Sequence, residues 1–310
     1  MDVAARAVEA VIGKLPNVII KIDEPMKDHT SFKVGGPVRV MFFPGSTDDF
    51  IGVCEILEKI DVVPFVMGNG SNILADDGRL DIVVINTSGV NEFELVGGES
   101  GDFCEISADS GALLSKVAVF ACENELTGFE FAHGIPGSLG GAVVMNAGAY
   151  GGEMKDVVVS STVYGPGAGV YTISGDEHDF SYRHSCFEKS DDVILSSVIR
   201  LKKGEKAKIK QKTDEFSLRR RKSQPLDLPS GGSTFKRPKE SYAAALIEQA
   251  GLKGYSIGDA QVSEKHAGFI VNRGNAEFDD VIAVIEYVQE VVFRQFGIAL
   301  ELEIKVLRGA

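Results

Sequence analysis

Residues 133–152 read His-Gly-Ile-Pro-Gly-Ser-Leu-Gly-Gly-Ala-Val-Val-Met-Asn-Ala-Gly-Ala-Tyr-Gly-Gly and contain seven glycines, more than a single turn needs. Glycines placed where side chains would block an approach let something flat or long lie against the backbone. Pro136 can begin a helix, and the N–H groups after it can face an anionic or extended ligand. The stretch therefore predicts a cofactor-binding segment. Tight glycine packing between two structural elements is the alternative.

The residue spacing argues against two common enzyme classes. A hydrolase elbow, Gly-x-Ser-x-Gly, centred on Ser138 needs glycine where the chain has Pro136. A second segment, Gly68-Asn69-Gly70-Ser71-Asn72, follows an apolar run and can form a nest of N–H groups suited to a pyrophosphate. A Rossmann site would need a further glycine where the chain has Ile73. The segment Gly68–Asn72 is therefore interpreted either as a phosphate-binding loop of another kind or as an ordinary glycine turn.

Apolar periodicity predicts an α+β fold. Short apolar runs bounded by turn residues predict strands at 38–43, 62–67, 82–85, 103–108, 157–173 and 193–201. Helical spacing predicts helices at 48–60, 111–124, 241–250 with Ser241 as N-cap, and 278–296 ended by Gly297. Alternation predicts a closing strand from Ile298, with Glu301 and Glu303 on one face. Nothing in the spacing alone chooses between these two acids.

Composition sets the class of protein. The chain has 310 residues with a net charge of −13, and no apolar run approaches the about 20 residues that span a bilayer. We expect a protein that is neither exported nor bound to membrane. Its scattered Cys and His residues predict neither disulfides nor a metal site. The negative charge disfavours nucleic-acid binding. Residues 202–222, however, carry ten Lys or Arg and three acids. They predict either a solvated linker helix or a positive wall for a phosphorylated ligand.

Two further segments contain candidate binding residues. Ser181-Tyr182-Arg183-His184-Ser185 presents one arginine among hydroxyls and aromatics, which favours a carboxylate or phosphate partner. In the segment 231–238, two glycines expose Ser233 and two cations follow, Lys236 and Arg237. Each segment alone is typical of a surface loop.

Taken together, the segments resemble the UDP-N-acetylenolpyruvoylglucosamine reductases, also called UDP-N-acetylmuramate dehydrogenases (the MurB family). The resemblance lies in Thr30–Gly36, Gly68–Asn72, Gly134–Gly148, Tyr182–Ser185, Gly232–Lys236 and Leu300–Glu303, in the family's order. One subgroup of the family carries an inserted tyrosine loop after the arginine segment. No tyrosine occurs between Tyr182 and Tyr242, so the chain is similar to the subgroup that lacks the loop. In the subgroup with the loop, the residue that corresponds to Arg237, directly before Pro238, is usually Asn.

The resemblance implies a vanillyl-alcohol-oxidase-type (PCMH-type) fold, in which two α+β subdomains hold FAD and a smaller domain covers the substrate. It also implies that NADPH reduces the flavin, which then reduces the enolpyruvyl ether of a UDP-sugar to UDP-N-acetylmuramate, for peptidoglycan synthesis. Arg183 and Glu303 would stabilise the charged intermediate, and Ser233 would protonate it. The residues implied to bind cofactor are Gly68, Asn69, Gly70, Ser71, Asn72, Ile135, Pro136, Gly137, Ser138, Gly141, Asn146 and Gly148. Those expected to bind substrate are Tyr182, Arg221, Lys236 and Arg237.

The resemblance also predicts the domain boundaries, the oligomeric state and the cellular location. We expect an FAD-binding region at 1–202 and a substrate-binding domain at 203–310, with the closing strand 298–307 able to return to the first region. We also expect a cytoplasmic monomer, although the sequence carries no direct signal of oligomeric state. One rival is another flavoenzyme of the same fold, which would not need Ser233, Glu303 or NADPH. The other is a nucleic-acid binder using 202–222, where Phe216 is the one aromatic residue.

Overall fold

The chain forms two compact units in a computed structural model that describes residues 3–98, 101–239 and 241–309. Unit 1 contains the chain up to Ile22, Val40–Asn69 and Ile82–Arg219. Unit 2 contains Asp23–Arg39, Gly70–Asp81 and the chain from Arg220 onward. The sequence predicted one division, between 202 and 203. The structure divides the chain at Arg219, inside a helix, and assigns two N-terminal segments to unit 2.

The helices and strands are defined as follows. The helices are α1 (Val3–Ile12), α2 (Thr47–Glu58), α3 (Leu114–Glu123), α4 (Leu139–Val144), α5 (Lys206–Ser223), α6 (Ala243–Gln249) and α7 (Phe278–Phe296). The strands in the first half are β1 (Ile19–Pro25), β2 (Pro37–Phe43), β3 (Phe65–Met67), β4 (Ile73–Ala75), β5 (Leu80–Asn86), β6 (Phe93–Gly97), β7 (Phe103–Asp109), β8 (Leu126–Thr127), β9 (Gly148–Ala149) and β10 (Gly152–Glu153). The later strands are β11 (Val158–Gly165), β12 (Gly169–Ser174), β13 (Val193–Lys203), β14 (Ser256–Ile257), β15 (Ala260–Val262), β16 (Ile270–Asn272) and β17 (Lys305–Leu307).

Unit 1 contains two hydrophobic clusters. One lies where α1 and α2 pack with the sheet ordered β1-β2-β5-β3, and its buried members include Phe42, Phe50 and Ile85. The other joins α3 and α4 to the sheet ordered β12-β11-β13-β7-β6. In the first cluster, helix α2 begins at Thr47 because the preceding Ser46 accepts a hydrogen bond from the Asp49 N–H at 3.1 Å, which satisfies a free donor of the first turn. The two clusters correspond to the two α+β subdomains expected from the sequence.

Unit 2 packs α6 and α7 against the sheet β14-β15-β16 around a third hydrophobic cluster. The predicted helix from Phe278 is confirmed, because its apolar positions Val281, Ile285, Val288 and Val292 are all buried in that cluster. Strand β17 pairs in parallel with β4, so the closing strand returns to residues 73–75 of the N-terminal half.

Two details of unit 2 differ from the sequence prediction. The predicted N-cap Ser241 is wrong, because α6 begins at Ala243 with Tyr242 before it. The closing strand is shorter than predicted: only Lys305–Leu307 forms a ladder, and Leu302 forms an isolated bridge with Phe235. The alternation itself is correct, since its apolar members lie in or pack against the third cluster, namely Ile298, Leu300, Leu302, Ile304 and Val306.

Gly297 ends α7 in the left-handed conformation, with φ 70°, and nothing lies within 4 Å of the position a Cβ would take. Gly297→Ala should therefore cost about 1 kcal/mol through backbone strain alone, because L-residues are disfavoured there. The control is Gly13→Ala, which also has open space but no positive φ. Thermal unfolding should show a lower Tm for Gly297→Ala only. Equal Tm values for the two variants would contradict this account.

Candidate active site

The two glycine segments predicted to bind a cofactor meet in unit 1. A Cβ on Gly68 would lie 1.9 Å from the Ser138 Oγ and 2.8 Å from the Ser138 Cβ, and rotation of the serine relieves only the first contact, so glycine favours this approach. The Asn69 side chain donates from Nδ2 to the Pro136 carbonyl at 2.7 Å. Segments 67 residues apart in the chain thus form one surface.

Glycine packing explains part of the glycine content. A Cβ on Gly140 would lie 2.8 Å from the Ser110 Cβ, and the Gly140 N–H donates to the Ser110 carbonyl at 2.8 Å. Gly141 is different, because it is exposed and its Cβ would meet nothing nearer than the Ser138 Oγ at 3.5 Å. The packing interpretation therefore applies to Gly68 and Gly140. Gly141 leaves an exposed part of α4 without a side chain, and contact with a cofactor stays a prediction there.

The donors of this surface fit a dinucleotide cofactor. Within the described ranges of unit 1, the backbone N–H groups of Asn69, Gly137 and Ser138 donate to no other residue. The Ser110 Oγ is buried and likewise has no partner among the described residues. Backbone N–H groups that donate to no protein acceptor, beside glycines that have no side chain, suit the binding of a pyrophosphate and a flat ring system. Sequence reasoning missed Ser110, since a serine in a strand-to-helix connection is unremarkable until its burial is known.

Residues 146–153 form the end of the glycine stretch. Strands β9 and β10 make a tight hairpin in which Gly152 pairs with Ala149 and Glu153 with Gly148. Its two turn residues, Tyr150 and Gly151, both have positive φ, as such hairpins require. Asn146 precedes the hairpin and is fully buried, and Ile135 and Gly148 are partly buried.

The arginine segment forms a second hairpin in unit 1. Ser181 and His184 exchange backbone hydrogen bonds of 3.2 Å, which leaves Tyr182 and Arg183 at the tip. Arg183 has φ 55°, and its guanidinium lies 5.0 Å from the centre of the Tyr182 ring. Its Nη2 donates to the Gly148 carbonyl at 3.3 Å. The structure therefore brings Arg183 to the glycine segment.

His184 sits between two carboxylates. Its Nδ1 lies 2.5 Å from the Glu188 Oε2, and its Nε2 lies 3.3 Å from the Asp179 Oδ2. The hydrogen bond to Glu188, followed by that to Asp179, raises the pKa of His184 above its usual value. Sequence reasoning did not single out His184, because its partners are four and five residues away in an irregular segment.

The basic segment forms helix α5, whose first part packs along the glycine stretch of unit 1. Phe216 stacks on Tyr150 with ring centres 4.6 Å apart, and the Lys212 Nζ lies 3.3 Å from the buried Glu130 carboxylate. The helix formed by the basic segment is therefore not solvated on all sides, because part of it contacts unit 1. Arg221, near the end of α5, is exposed, and its carbonyl accepts a hydrogen bond from Lys265 at 2.7 Å.

Unit 2 pairs the segment that follows Ser233 with the segment that carries Glu303. The Glu303 N–H donates to the Thr234 carbonyl at 2.9 Å, and the Lys236 N–H donates to the Glu301 carbonyl at 2.8 Å. Segments 234–236 and 301–303 therefore run antiparallel, with Ser233 at one end of the pairing. Glu303 is half-buried and Glu301 is exposed.

Asn72 joins a third segment to this pairing. Its Nδ2 donates to the Glu303 carbonyl at 2.9 Å, and its own carbonyl accepts from the Lys305 N–H at 2.8 Å. The Gly70 carbonyl likewise accepts from the Ser31 N–H at 3.2 Å, and Ser71 is partly buried. The last three residues of the predicted phosphate loop thus lie in unit 2. The guanidinium of the exposed Arg237 stacks on Tyr242, with 4.0 Å between its carbon and the ring centre.

Two kinds of feature are absent from residues 3–98, 101–239 and 241–309. No group of three or more His, Cys, Asp or Glu side chains there is arranged to hold a metal ion. No helix in the same ranges has the length and apolar character needed to cross a bilayer.

Comparison with known proteins identifies the family. Residues 38–196 match the model described as "FAD binding domain", and residues 224–307 match "UDP-N-acetylenolpyruvoylglucosamine reductase, C-terminal domain". The UDP-N-acetylenolpyruvoylglucosamine reductase of Caldanaerobacter subterraneus subsp. tengcongensis is 47% identical over 303 residues, which cover 96% of this chain and 98% of that protein. The chain belongs to the UDP-N-acetylenolpyruvoylglucosamine reductase family.

Two further relatives agree with this family assignment. The reductase of Clostridium kluyveri is 45% identical over 288 residues, covering 93% of each chain. The crystal structure of UDP-N-acetylenolpyruvylglucosamine reductase from Thermus caldophilus superimposes with a TM-score of 0.76 at 31% identity, covering 94% of this chain and 99% of that one. The predicted α+β fold of the PCMH-type FAD-binding class is therefore confirmed, and so is FAD as the cofactor of the family.

The pKa of His184 predicts a pH-dependent stability. Because the pKa is raised in the folded protein, its contribution is complete below the unfolded value of about 6.5 and is lost as pH rises through the folded value. Urea unfolding should therefore show wild type more stable than His184→Gln at pH about 6, with the difference shrinking towards pH about 9. The control Glu188→Gln removes the carboxylate that raises the pKa of His184 most. In that background, the stability difference between the protein with His184 and its His184→Gln variant should change less with pH. A difference that does not change with pH would exclude the imidazolium as its source.

Proposed function

We propose that this chain catalyses the FAD-dependent, NADPH-consuming reduction of UDP-N-acetyl-3-O-(1-carboxyvinyl)-glucosamine to UDP-N-acetylmuramate, a step of peptidoglycan precursor synthesis. The observation that carries the proposal is the antiparallel pairing of segments 234–236 and 301–303, which places Glu303 opposite Thr234, the residue after Ser233. Another flavoenzyme of the same fold would have no use for this pairing.

Ser233 is proposed as the proton donor. It follows Gly232, which has φ 79° and open space around it, so the backbone turns sharply there and leaves the serine partly exposed. A serine hydroxyl is a weak acid, but the carbon it would protonate is carbanion-like and far more basic. Proximity then outweighs acidity.

Arg183 and Glu303 are proposed to stabilise the negative charge that develops on the carboxylate of the enolpyruvyl group. A guanidinium presents two parallel donors that match a carboxylate. The positive φ and the contact with the Gly148 carbonyl favour one orientation of Arg183. Glu303 is favoured over Glu301 because it is the acid whose N–H donates to Thr234, the neighbour of Ser233, and because it is half-buried.

When bound, FAD would supply the two-electron chemistry that links NADPH oxidation to reduction of the enolpyruvyl group at its β-carbon. In unit 1, the backbone N–H groups of Asn69, Gly137 and Ser138 are proposed to hold it. Gly68, Ile135 and Pro136 are proposed to line the same surface, with Gly141 leaving space for it. Gly148 is proposed to flank this surface, with the buried Asn146 supporting it from beneath. Gly70, Ser71 and Asn72 are proposed to continue the phosphate loop.

Cationic side chains are proposed to bind the substrate diphosphate, namely Arg221, Lys236 and Arg237. Each guanidinium or ammonium group offers several donors to phosphate oxygens. Arg221 and Arg237 are exposed against an overall charge of −13, so they would attract an anionic substrate locally. Tyr182 is proposed to contact the substrate beside Arg183. We also propose a cytoplasmic monomer that binds neither nucleic acid nor membrane.

An anaerobic spectrum tests the function directly. The purified protein should show a flavin band that NADPH bleaches and that enolpyruvyl-UDP-GlcNAc then restores. Bleaching without restoration would leave a flavoenzyme of this fold and remove the substrate assignment. A colourless protein that takes up no FAD would contradict the cofactor proposal as well.

The variant Ser233→Ala separates the two half-reactions. Bleaching by NADPH should be unchanged, and restoration by substrate should slow by a factor of about 100 or more, as expected for loss of a positioned acid. The control is Ser230→Ala, three residues earlier, where the contact to Ser31 is made by the carbonyl and survives. Normal restoration in Ser233→Ala, or loss of flavin from it, would show that the proposed role is wrong.

Adjacent glycines of α4 distinguish packing from cofactor contact. Gly141→Ala should leave the Tm of the FAD-free protein unchanged, because its Cβ makes an ordinary 3.5 Å contact, but should weaken FAD binding. Gly140→Ala should lower the Tm, because its Cβ would press to 2.8 Å from the Ser110 Cβ. Calorimetry and FAD titration measure the two effects. Unchanged FAD affinity in Gly141→Ala would remove Gly141 from the proposed site.

A further inference from the structure

Asn146 is a fully buried side chain whose polar atoms are all engaged inside unit 1. Its Nδ2 donates one hydrogen bond to the Glu153 Oε2 at 2.8 Å and one to the Ser181 carbonyl at 2.9 Å. Its Oδ1 accepts the Lys155 N–H at 2.9 Å. The amide orientation follows from these partners, because two acceptors face the nitrogen and one donor faces the oxygen.

The bond to Ser181 connects the glycine stretch to the arginine hairpin. Ser181 directly precedes the two-residue loop that carries Arg183, and it is 35 residues from Asn146 in the chain. On the other side of the loop, the Ser185 Oγ donates to the Val144 carbonyl at 2.7 Å. The hairpin is thus attached at both ends to the segment 144–146.

The backbone at position 146 indicates why an amide stands there. Asn146 has φ 43°, a conformation that glycine adopts most easily and asparagine tolerates. The surrounding stretch uses glycine freely, so glycine would serve the backbone at this position too. Asparagine adds what glycine lacks, a side chain able to hold Ser181 and Glu153 at once.

We propose that Asn146 is a positioning residue, which fixes the Ser181–His184 hairpin on the glycine segment and thereby sets the orientation of Arg183. The inference rests on the proposed function, in which Arg183 acts on the enolpyruvyl carboxylate. Asn146 itself touches neither substrate nor reacting atoms in this account. Its effect passes through a backbone carbonyl to the hairpin, and from there to the guanidinium that contacts the Gly148 carbonyl.

Two substitutions separate the amide donor from the rest of the side chain. Asn146→Gly accepts φ 43° and removes all three hydrogen bonds. Asn146→Asp keeps the size and the acceptor for Lys155 but turns an oxygen towards Glu153 and the Ser181 carbonyl. The matched control is Asn124→Asp, which removes the 2.8 Å bond from another Asn Nδ2 to a carbonyl, that of Phe120, in the same unit.

The first measurement is the split between half-reactions. Flavin reduction is measured at saturating FAD, so that any change in FAD affinity does not enter the rates. Both Asn146 variants should then be bleached by NADPH at rates within about twofold of wild type, because the buried Asn146 side chain bonds to Glu153, Ser181 and Lys155. Restoration by enolpyruvyl-UDP-GlcNAc should slow by about tenfold or more, since displacing a catalytic group by about 1 Å can cost a factor of 100. Equal slowing of both half-reactions would indicate a merely structural residue and overturn the inference. So would normal restoration.

A double-mutant cycle tests whether the effect passes through Arg183. Asn146→Gly in an Arg183→Ala background should slow restoration by less than about twofold further, because the group it positions is gone. A full additional slowing would overturn the inference while leaving the proposed function intact. If Arg183→Ala alone restores the flavin normally, the proposed role of Arg183 fails, and the inference fails with it for that separate reason.

Hydrogen exchange of the FAD-free protein gives a readout independent of activity. The N–H groups of Ser181 and His184 each donate to the carbonyl of the other residue. The peptide that contains them should therefore exchange faster in Asn146→Gly and at the wild-type rate in Asn124→Asp. Unchanged protection in Asn146→Gly would overturn the inference. If the Asn146 variants do not fold, Ser185→Ala, which removes the other attachment, should produce the same split between half-reactions. Normal restoration by substrate in that variant would overturn the proposal.

Discussion

The approach of Gly68 to Ser138 is the constraint on which the cofactor surface of unit 1 depends. A Cβ at residue 68 would lie 2.8 Å from the Ser138 Cβ, a clash that rotation of the serine side chain cannot relieve, so glycine lets the two segments touch without a shift of the backbone. Once they touch, the Asn69 amide reaches the Pro136 carbonyl, and α4 begins directly after the contact. The backbone N–H groups left over at this junction then lie on one surface. Close backbone approach produces a set of directed donors without any charged side chain.

Unit 2 uses backbone pairing for a different purpose. The bonds between segments 234–236 and 301–303 form an isolated bridge, not a full strand, and Asn72 binds the same carboxyl-terminal segment from a third direction. Two other parts of the chain, Thr234 and Asn72, therefore fix the backbone of Glu303. A backbone fixed in this way needs little further ordering when a ligand binds, which lowers the entropic cost of binding.

Buried polar contacts connect the glycine stretch to the arginine hairpin in unit 1. The Asn146 amide and the Ser185 hydroxyl each donate to a carbonyl across the contact, and both side chains are fully buried. A buried polar group without a partner costs free energy, so these bonds specify one arrangement and disfavour others. Arg183, with its positive φ, occupies the tip of a loop that is held at both ends. The positioning of a charged group on a surface hairpin thus depends on neutral groups beneath it.

Local patterns in the sequence determined the helix that Gly297 ends, the strands β2, β5, β7 and β13, and the α+β class, because periodicity and capping depend on residues within one or two turns. The ordered glycine and arginine segments also determined the family and its cofactor. Only the tertiary structure decided which acid, Glu301 or Glu303, lies beside the segment carrying Ser233, since both share a face. It also decided where the Asn146 amide bonds and where the units divide. Contacts such as that between Asn72 and Glu303, 231 residues apart, depend on how the whole intervening chain folds.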